Sequence, residues 1–138
     1  GSRLELEITE TAFIRNRANA LKALHEIREM GVRIAIDDFG TGYSSLSNLK
    51  SFPFDKIKID KSFVAGIEDD EAARSIVRAI IGLGRSFNLP IVAEGVETQA
   101  QHQMVIDEGC PQAQGFYFGA PADDPYKPEE LTEKYRSA

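Results

Sequence analysis

The 138-residue chain carries 16 basic and 22 acidic residues, and its net charge of -6 at pH 7 argues against binding of nucleic acid polymers through a basic surface. Its single cysteine excludes an internal disulfide, and the sequence holds no apolar stretch long enough to span a membrane. From these properties we expect a cytoplasmic domain without a membrane segment.

Short apolar runs recur along the chain and predict the strands of a sheet. They lie at residues 4–8, 32–36, 57–60, 91–93 and 112–115. The stretches between them have helical patterns, and parallel strands need a crossover connection that a helix usually supplies. The alternation therefore predicts an α/β fold with a parallel sheet and about five strand-helix units.

Three of the intervening helices have clear sequence signals. The first covers 18–30 and the second covers 72–87. The third begins at Thr98, where Gln101 three residues later forms a capping box, and it ends near Gly109. Apolar residues at helical spacing predict the buried faces of the first two helices, namely Leu21, Leu24, Ile27 and Met30, and Ile76, Ile80, Leu83 and Phe87.

Two adjacent acids, Asp37 and Asp38, follow the apolar run at 32–36 and lead into a glycine-rich segment. Adjacent carboxylates repel each other at neutral pH, so a fold that places them side by side usually supplies a divalent cation or raises a pKa. Asp is also a common helix N-cap, and Asp38 could cap the next helix while Asp37 is solvated. The pair alone leaves both interpretations open.

Polar residues stand at the ends of several apolar runs: Glu7, Asp37, Asp38, Lys58, Glu94 and Gln114. The carboxyl ends of parallel strands share one edge of a sheet, so these side chains should converge although they are distant in sequence. The alternative is that each is an exposed loop residue or a cap, with Lys58 pairing only with Asp55 or Asp60. We favour the functional interpretation of Lys58, because an unpaired ammonium within a strand is costly.

Five segments carry a longer pattern in register: LEITE at 6–10, DDFGTGYSSL at 37–46, KIDKSF at 58–63, VAEGVET at 92–98, and Gln114-Gly115 followed by Pro121. They span nearly the whole chain and resemble the EAL-domain phosphodiesterases, which hydrolyse cyclic di-GMP. The resemblance implies a modified TIM barrel. The expected fold class is therefore α/β with a partial (β/α) barrel of the TIM type.

The resemblance implies a metal site with Mg²⁺ or Mn²⁺. Glu7, Asp37 and Asp38 would be metal ligands, with Asp37 bridging two cations, and Glu94 would complete the coordination sphere of the second cation directly or through water. Hard oxygen ligands suit these cations, and a pair of them can activate water for phosphodiester hydrolysis. No Cys-His cluster in the sequence competes for a zinc assignment.

The resemblance also implies residues that contact the substrate. Lys58 would hold the attacking water or a phosphate oxygen, Gln114 would orient them, and Pro121 would also touch the substrate. Glu10 matches a residue that steadies the loop at 39–46, which in the family also bears on dimerisation, although an acid at a helix start is favoured by the helix dipole alone. Cyclic di-GMP is an anion, so we expect its binding to this acidic pocket to require metal.

Two ligands that the resemblance implies, the Glu of the opening Glu-Ala-Leu motif and a later Asn, do not occur in this sequence. A (β/α)₈ barrel takes about 250 residues. We therefore expect residues 3–138 to be a truncated EAL domain, the C-terminal portion of the barrel. Gly1-Ser2 reads like the remnant of a cleaved expression tag, and the tail from Asp123 is predicted to form a loop and a short helix.

A half barrel leaves its first strand, at 4–8, without one neighbour and its inner apolar face open to water. We therefore expect a homodimer through the exposed edge or the inner face. Two functions remain open. The chain is either a cyclic di-GMP phosphodiesterase domain with impaired activity, or a non-catalytic binding or oligomerisation module derived from such a domain.

Overall fold

The structure, a computed structural model, describes residues 4–41, 46–110 and 112–119. The strands are β1 (Glu5–Thr9), β2 (Arg33–Phe39), β3 (Lys56–Ile59), β4 (Ile91–Ala93) and β5 (Gln112–Ala113). The helices are α1 (Glu10–Arg15), α2 (Arg17–Glu29), α3 (Leu46–Ser51), α4 (Lys61–Ala65), α5 (Glu71–Phe87) and α6 (Gln99–Asp107). Four predictions made from the sequence concern residues outside the described ranges: Gly1-Ser2, the centre of the loop at 42–45, Pro121 and the tail from Asp123.

The five described strands form one sheet whose order follows the chain, from β1 to β5, and every neighbouring pair is parallel. This sequential order is the one found in (β/α) barrels. The predicted α/β class, the parallel sheet and the five strands are confirmed. Among the described residues, no helix combines the length and the apolar character needed to cross a bilayer.

One face of the sheet is apolar and packs on the helices. Alternate residues of a strand point to opposite faces, and Ile34, Ile36, Ile57 and Ile59 are all fully buried on the same face. They share a core with residues of the surrounding helices, among them Phe13, Leu24, Val77 and Val105. Burial of these side chains holds the strands in register and fixes which residues face the other way.

The opposite face of the sheet carries charges, so the expectation of an inner apolar face is wrong for the described residues. Lys56 Nζ lies 2.8 Å from Glu5 Oε2, and Lys58 Nζ lies 2.5 Å from Glu7 Oε1. Both pairs join β3 to β1 across β2, where Ala35 is small enough to leave room for the long side chains. Strand alternation brings the charged residues of β1 and β3 to this face.

The predicted helices are present, but the buried face of α5 is rotated relative to the predicted one. Helix α6 follows Thr98, and the capping box between Thr98 and Gln101 is confirmed. In α5 the prediction that Ile76 lies on the buried face is wrong: Ile76 is 37% exposed, while Val77 and Ile81 are buried. Met30 is also not part of a buried face, because α2 ends at Glu29 and Met30 is exposed at its C-cap.

Candidate active site

Strand β2 continues through the acid pair to Phe39 instead of ending before it. Ile36 pairs with Ile57 and Phe39 pairs with Ile59, so Asp37 and Asp38 together lie opposite Lys58. Asp38 has a positive φ of 53°. Such a bulge breaks the alternation of side chains, and both acids line the same cavity. Asp38 therefore lies within the strand and does not cap the next helix.

Three carboxylates meet beside this bulge. Glu7 of β1, Asp37 of β2 and Glu94 after β4 each present an oxygen atom, and these atoms lie within 4.8 Å of one another. The backbone N–H of Glu94 donates to Ile59 at 3.2 Å and extends the ladder between β3 and β4 by one residue. Clustered carboxylate oxygens are the donors that Mg²⁺ and Mn²⁺ prefer. The cluster fits such an ion.

Lys58 contacts two of these three carboxylates, Glu7 and Glu94. Its side chain is only 4% exposed, and its ammonium lies 2.5 Å from Glu7 Oε1 and 2.7 Å from Glu94 Oε1. Burial acts to lower the pKa of Lys58, but the hydrogen bonds to Glu7 and Glu94 outweigh it and raise the pKa above its ordinary value. The alternative partners Asp55 and Asp60 are engaged elsewhere, with the Ile34 N–H and with Ser62.

Glu94 is poised to exchange a proton near neutral pH. Burial and a hydrogen bond with Asp37 raise the pKa of Glu94 to about 7, although the neighbouring Lys58 opposes the shift. A group with a pKa near the working pH is suited to general acid–base catalysis.

Asp38 is hydrogen-bonded to Asp60, a residue that the sequence did not single out. Burial, this hydrogen bond and the nearby Asp37 raise the pKa of Asp38 above its ordinary value. Burial acts to raise the pKa of Asp60 as well, but hydrogen bonds from the hydroxyl and backbone of Ser62 lower it. Asp60 is also the N-cap of α4. Its place in the KIDKSF segment at 58–63 was a sequence signal for it, but an Asp-x-Ser pattern is equally typical of a simple helix cap.

Four of these acidic residues line a cavity of about 460 Å³, a size typical of small-molecule sites: Asp37, Asp38, Asp60 and Glu94. Its lining includes Asp37, Asp38, Glu94 and Gln114 from the sequence-predicted set, and Asp60, Lys61, Glu97 and Phe116, which that set missed. The last four residues follow β3, β4 and β5, so the convergence of strand ends applies to them too. They were missed because sequence alone does not say which residues of a loop face the cavity. Glu94 connects the cavity to the buried Lys58, because it lines the cavity and accepts the ammonium hydrogen bond.

Gln114 is held by backbone contacts. Its N–H donates to Ala93 at 2.8 Å and its carbonyl accepts from Val96 at 3.0 Å. A side chain on Gly115 would clash with the backbone of Val96. The close approach of Gly115 therefore fixes the segment that presents Gln114 to the cavity.

Glu10 lies under the start of the loop that follows β2. It is fully buried as the first residue of α1, and its Oε2 accepts a hydrogen bond from the Gly40 N–H at 3.2 Å. Gly40 has a φ of 97°, and a Cβ there would lie 2.9 Å from the Phe63 ring. A carboxylate at this point can steady the chain immediately after the acid pair.

Comparison with known proteins gives this site its family context. The family described as the EAL domain matches residues 1–121. The chain belongs to the EAL domain family. It is 58% identical over 121 residues to an uncharacterised signalling protein of Caulobacter vibrioides and 48% identical over 120 residues to the bifunctional diguanylate cyclase/cyclic di-GMP phosphodiesterase MucR of Pseudomonas aeruginosa. These alignments cover 88% and 87% of this chain, but only 15% and 18% of the two relatives.

Solved EAL structures share the fold. The PaMucR phosphodiesterase in complex with c-di-GMP superposes with a TM-score of 0.81 at 45% identity, covering 94% of this chain and 51% of that chain. A manganese and c-di-GMP complex of Klebsiella pneumoniae BlrP1 gives a TM-score of 0.82 at 36% identity, covering 88% and 31%. The expected partial (β/α) barrel and the use of divalent metal within the family are confirmed.

Proposed function

We propose that this EAL chain takes part in metal-dependent hydrolysis of cyclic di-GMP to the linear dinucleotide. One observation carries the proposal: carboxylates from three strand segments, Glu7, Asp37 and Glu94, present oxygens within 4.8 Å of one another beside the cavity. The substrate is supported by the relatives, because PaMucR and BlrP1 were solved as complexes with this dinucleotide.

Glu7, Asp37 and Glu94 would hold a Mg²⁺ or Mn²⁺ ion. Asp37 would bridge to a second ion with Asp38 as its further ligand, and the hydrogen bond between Asp38 and Asp60 would then be broken or rearranged. When bound, a pair of such ions activates water and stabilises the leaving oxygen in an in-line displacement. The remaining chemistry belongs to side chains of this protein.

Glu94 is the candidate for accepting the proton of the attacking water, because its carboxylate lines the cavity and lies beside the other two proposed ligands. The water oxygen forms a bond to phosphorus, one P–O ester bond of the ring breaks, and the leaving ring oxygen takes up a proton from Glu94 or from solvent. Lys58, at 2.7 Å from Glu94, would donate a hydrogen bond to that water or to a phosphate oxygen. Its positive charge also offsets the repulsion between an acidic cavity and an anionic substrate.

Gln114 and Pro121 would contact the substrate, and Glu10 would act at a distance. The side chain of Gln114 lines the cavity and has amide groups that can orient water or phosphate. Pro121 is proposed from its place in the family pattern alone. Glu10 would steady the backbone at Gly40, so that the acid pair keeps its position when substrate binds.

The activity of the whole protein is also part of this proposal, because the chain spans about half of the PaMucR structure and a smaller share of the curated relatives. The opening Glu and the later Asn of the family do not occur in this sequence. We propose that residues 3–138 are the C-terminal portion of an EAL barrel, with Gly1-Ser2 a tag remnant. By itself this segment would then turn over substrate slowly. Cytoplasmic location, and the lack of a nucleic acid polymer as partner, remain predictions from composition.

A homodimer through the sheet edge is proposed as well. Strand β1 pairs only with β2 among the described strands, and Leu6 on it is 38% exposed. A second chain that pairs along β1 would satisfy its free backbone groups and cover this side chain. Light scattering at micromolar concentration should give twice the mass of the chain. A compact monomer would rule the dimer out.

The test of function is a turnover assay with cyclic di-GMP in Mg²⁺ and in Mn²⁺. Wild type should release the linear dinucleotide, and Asp37→Asn should remove most of that activity because Asp37 is common to both proposed ions. Asp69→Asn, an exposed acid that does not line the cavity, is the matched control and should keep full activity. Turnover that Asp37→Asn leaves unchanged would refute the metal assignment. Metal-dependent binding of the dinucleotide without turnover would support the alternative of a binding module.

A further inference from the structure

Lys58 brings a positive charge to the place where a divalent cation is proposed. Its ammonium lies 2.5 Å from Glu7 Oε1 and 2.7 Å from Glu94 Oε1. Glu7 and Glu94 are also two of the three members of the carboxylate cluster. The ammonium and the cation therefore use the same ligands.

The fold holds the ammonium in this position. Lys58 stands at the middle of the described sheet, buried on the charged face, and extends over Ala35 to reach the edge strand. Lys56, two residues earlier on β3, makes a similar contact with β1: its Nζ lies 2.8 and 2.9 Å from the two carboxylate oxygens of Glu5. Glu5 does not belong to the carboxylate cluster. The described residues thus contain two similar lysine–glutamate arrangements, and of these two the one at Lys58 shares its carboxylates with the proposed metal site.

An ammonium and a divalent cation that bind the same carboxylates lie within a few ångströms of each other and repel. We propose that Lys58 is an internal counterion that competes with the divalent cation for Glu7 and Glu94, and so weakens cation binding at this site. The inference rests on the metal site of the proposed function.

The competition has a consequence for the substrate. A cation that takes Glu7 and Glu94 releases the Lys58 ammonium, and it is released next to the cavity because Glu94 lines that cavity. A phosphodiester group is an anion that such an ammonium can bind. Cation binding would then prepare the anion site, with Lys58 as the residue that moves from one partner to the other.

Calorimetric titration with MnCl₂ at one pH and one ionic strength tests the competition. Lys58→Met keeps most of the buried side-chain volume and removes the charge, and its Kd for Mn²⁺ should be at least about tenfold lower than that of wild type. Lys56→Met removes the same charge from a position two residues, or roughly 6.6 Å, away along the strand. Its Kd should change less than about threefold, because the charge acts from farther away.

Two further measurements keep the inference testable if Lys58→Met does not fold. Lys58→Gln retains a hydrogen-bond donor for the two glutamates and should also bind Mn²⁺ more tightly than wild type. In wild type, reductive methylation followed by mass spectrometry should show that Mn²⁺ increases the labelling of Lys58 while the labelling of Lys56 stays constant. Labelling of Lys58 that Mn²⁺ leaves unchanged would overturn the release of the ammonium.

The outcomes separate this inference from the proposed function. Mn²⁺ binding by wild type that is equal or weaker in Lys58→Met would mean that Lys58 arranges the ligands instead of competing, and the inference would fail alone. Absence of Mn²⁺ binding in wild type and in both Lys58 variants would remove the metal site and the inference together. Tighter binding in Lys58→Met with Lys56→Met unchanged supports both.

Discussion

The carboxyl groups of Asp38 and Asp60, two residues that line the cavity, are hydrogen-bonded to each other. Asp38 lies in the bulge of β2, and Asp60 is the N-cap of α4. Burial and the bond to Asp60 raise the pKa of Asp38, whereas the bonds from Ser62 lower that of Asp60. The pair ties a proposed metal ligand to the start of a helix.

Asp60→Ala should lower the pKa of Asp38 towards its ordinary value in metal-free protein, because it removes the second of the causes that raise it. The shift should be partial, since burial remains. The substitution also removes a helix cap and should cost about 1 kcal/mol of stability. NMR titration of the carboxyl carbons and urea unfolding measure the two effects.

The control for this prediction is Asp70→Ala, because Asp70 caps α5 by accepting from the Ala72 N–H at 2.9 Å. It should lose about the same stability and leave the pKa of Asp38 in place. An equal pKa of Asp38 in the two variants would show that Asp60 does not influence it.

The stability of metal-free protein should fall as pH rises from about 4.5 to about 7. Glu94 has a folded-state pKa of about 7 against an ordinary 4.5, so in this window the folded protein holds a proton that the unfolded chain has released. Rising pH then favours the unfolded chain. Chemical unfolding in EDTA across this range, with Glu94→Gln as the comparison, measures the effect. The variant should lack this contribution, and an identical pH dependence in both proteins would contradict the shift at Glu94.

Gly40→Ala should destabilise the protein by about 1–3 kcal/mol, because alanine must adopt the positive φ of 97° and its Cβ would press on Phe63. The backbone N–H that donates to Glu10 would also move. Gly82→Ala is the control, since Gly82 lies exposed within α5 and a Cβ there meets no atom within 4 Å. It should gain about 0.5–1 kcal/mol from helix propensity. Thermal or urea unfolding that ranks the two variants in the opposite order would show that Gly40 is not strained.

Removal of divalent metal should weaken the binding of cyclic di-GMP by at least about tenfold, because a dianionic ligand would then face acidic residues that Lys58 only partly neutralises. Calorimetry in EDTA and in Mn²⁺ gives the two affinities. Ca²⁺, which also binds oxygen ligands, permits the same comparison with a second divalent cation. Equal affinity with and without metal would mean that the substrate is held by other groups.

Local signals made part of this structure predictable from sequence. Strand β4 and the capping box of α6 were found where predicted, because an apolar run and a Thr-x-x-Gln pattern act within a few residues. The rotated face of α5 was missed, since Ile76 and Val77 are equally apolar and only packing decides which of them is buried.

The convergence of Glu7, Asp37 and Glu94 was predicted from the order of the strands, but the detailed arrangement around them was not. The bulge that turns Asp37 and Asp38 to one cavity depends on pairing with β3, which no local pattern reveals. The same holds for the reach of Lys58 across β2 to Glu7 and for the bond between Asp38 and Asp60. The inner face was expected to be apolar because the sequence alone did not show which alternate residues of β1 and β3 face inward. In the structure these are the charged residues Glu5, Glu7, Lys56 and Lys58.

Glu7, Asp37 and Glu94 are proposed to hold one divalent cation between them. The decisive measurement is diffraction at the manganese absorption edge from a crystal soaked in MnCl₂. An anomalous peak in contact with oxygens of all three side chains is the expected result. A well-ordered crystal with those side chains pointing apart, and with no peak beside any of them, would contradict it.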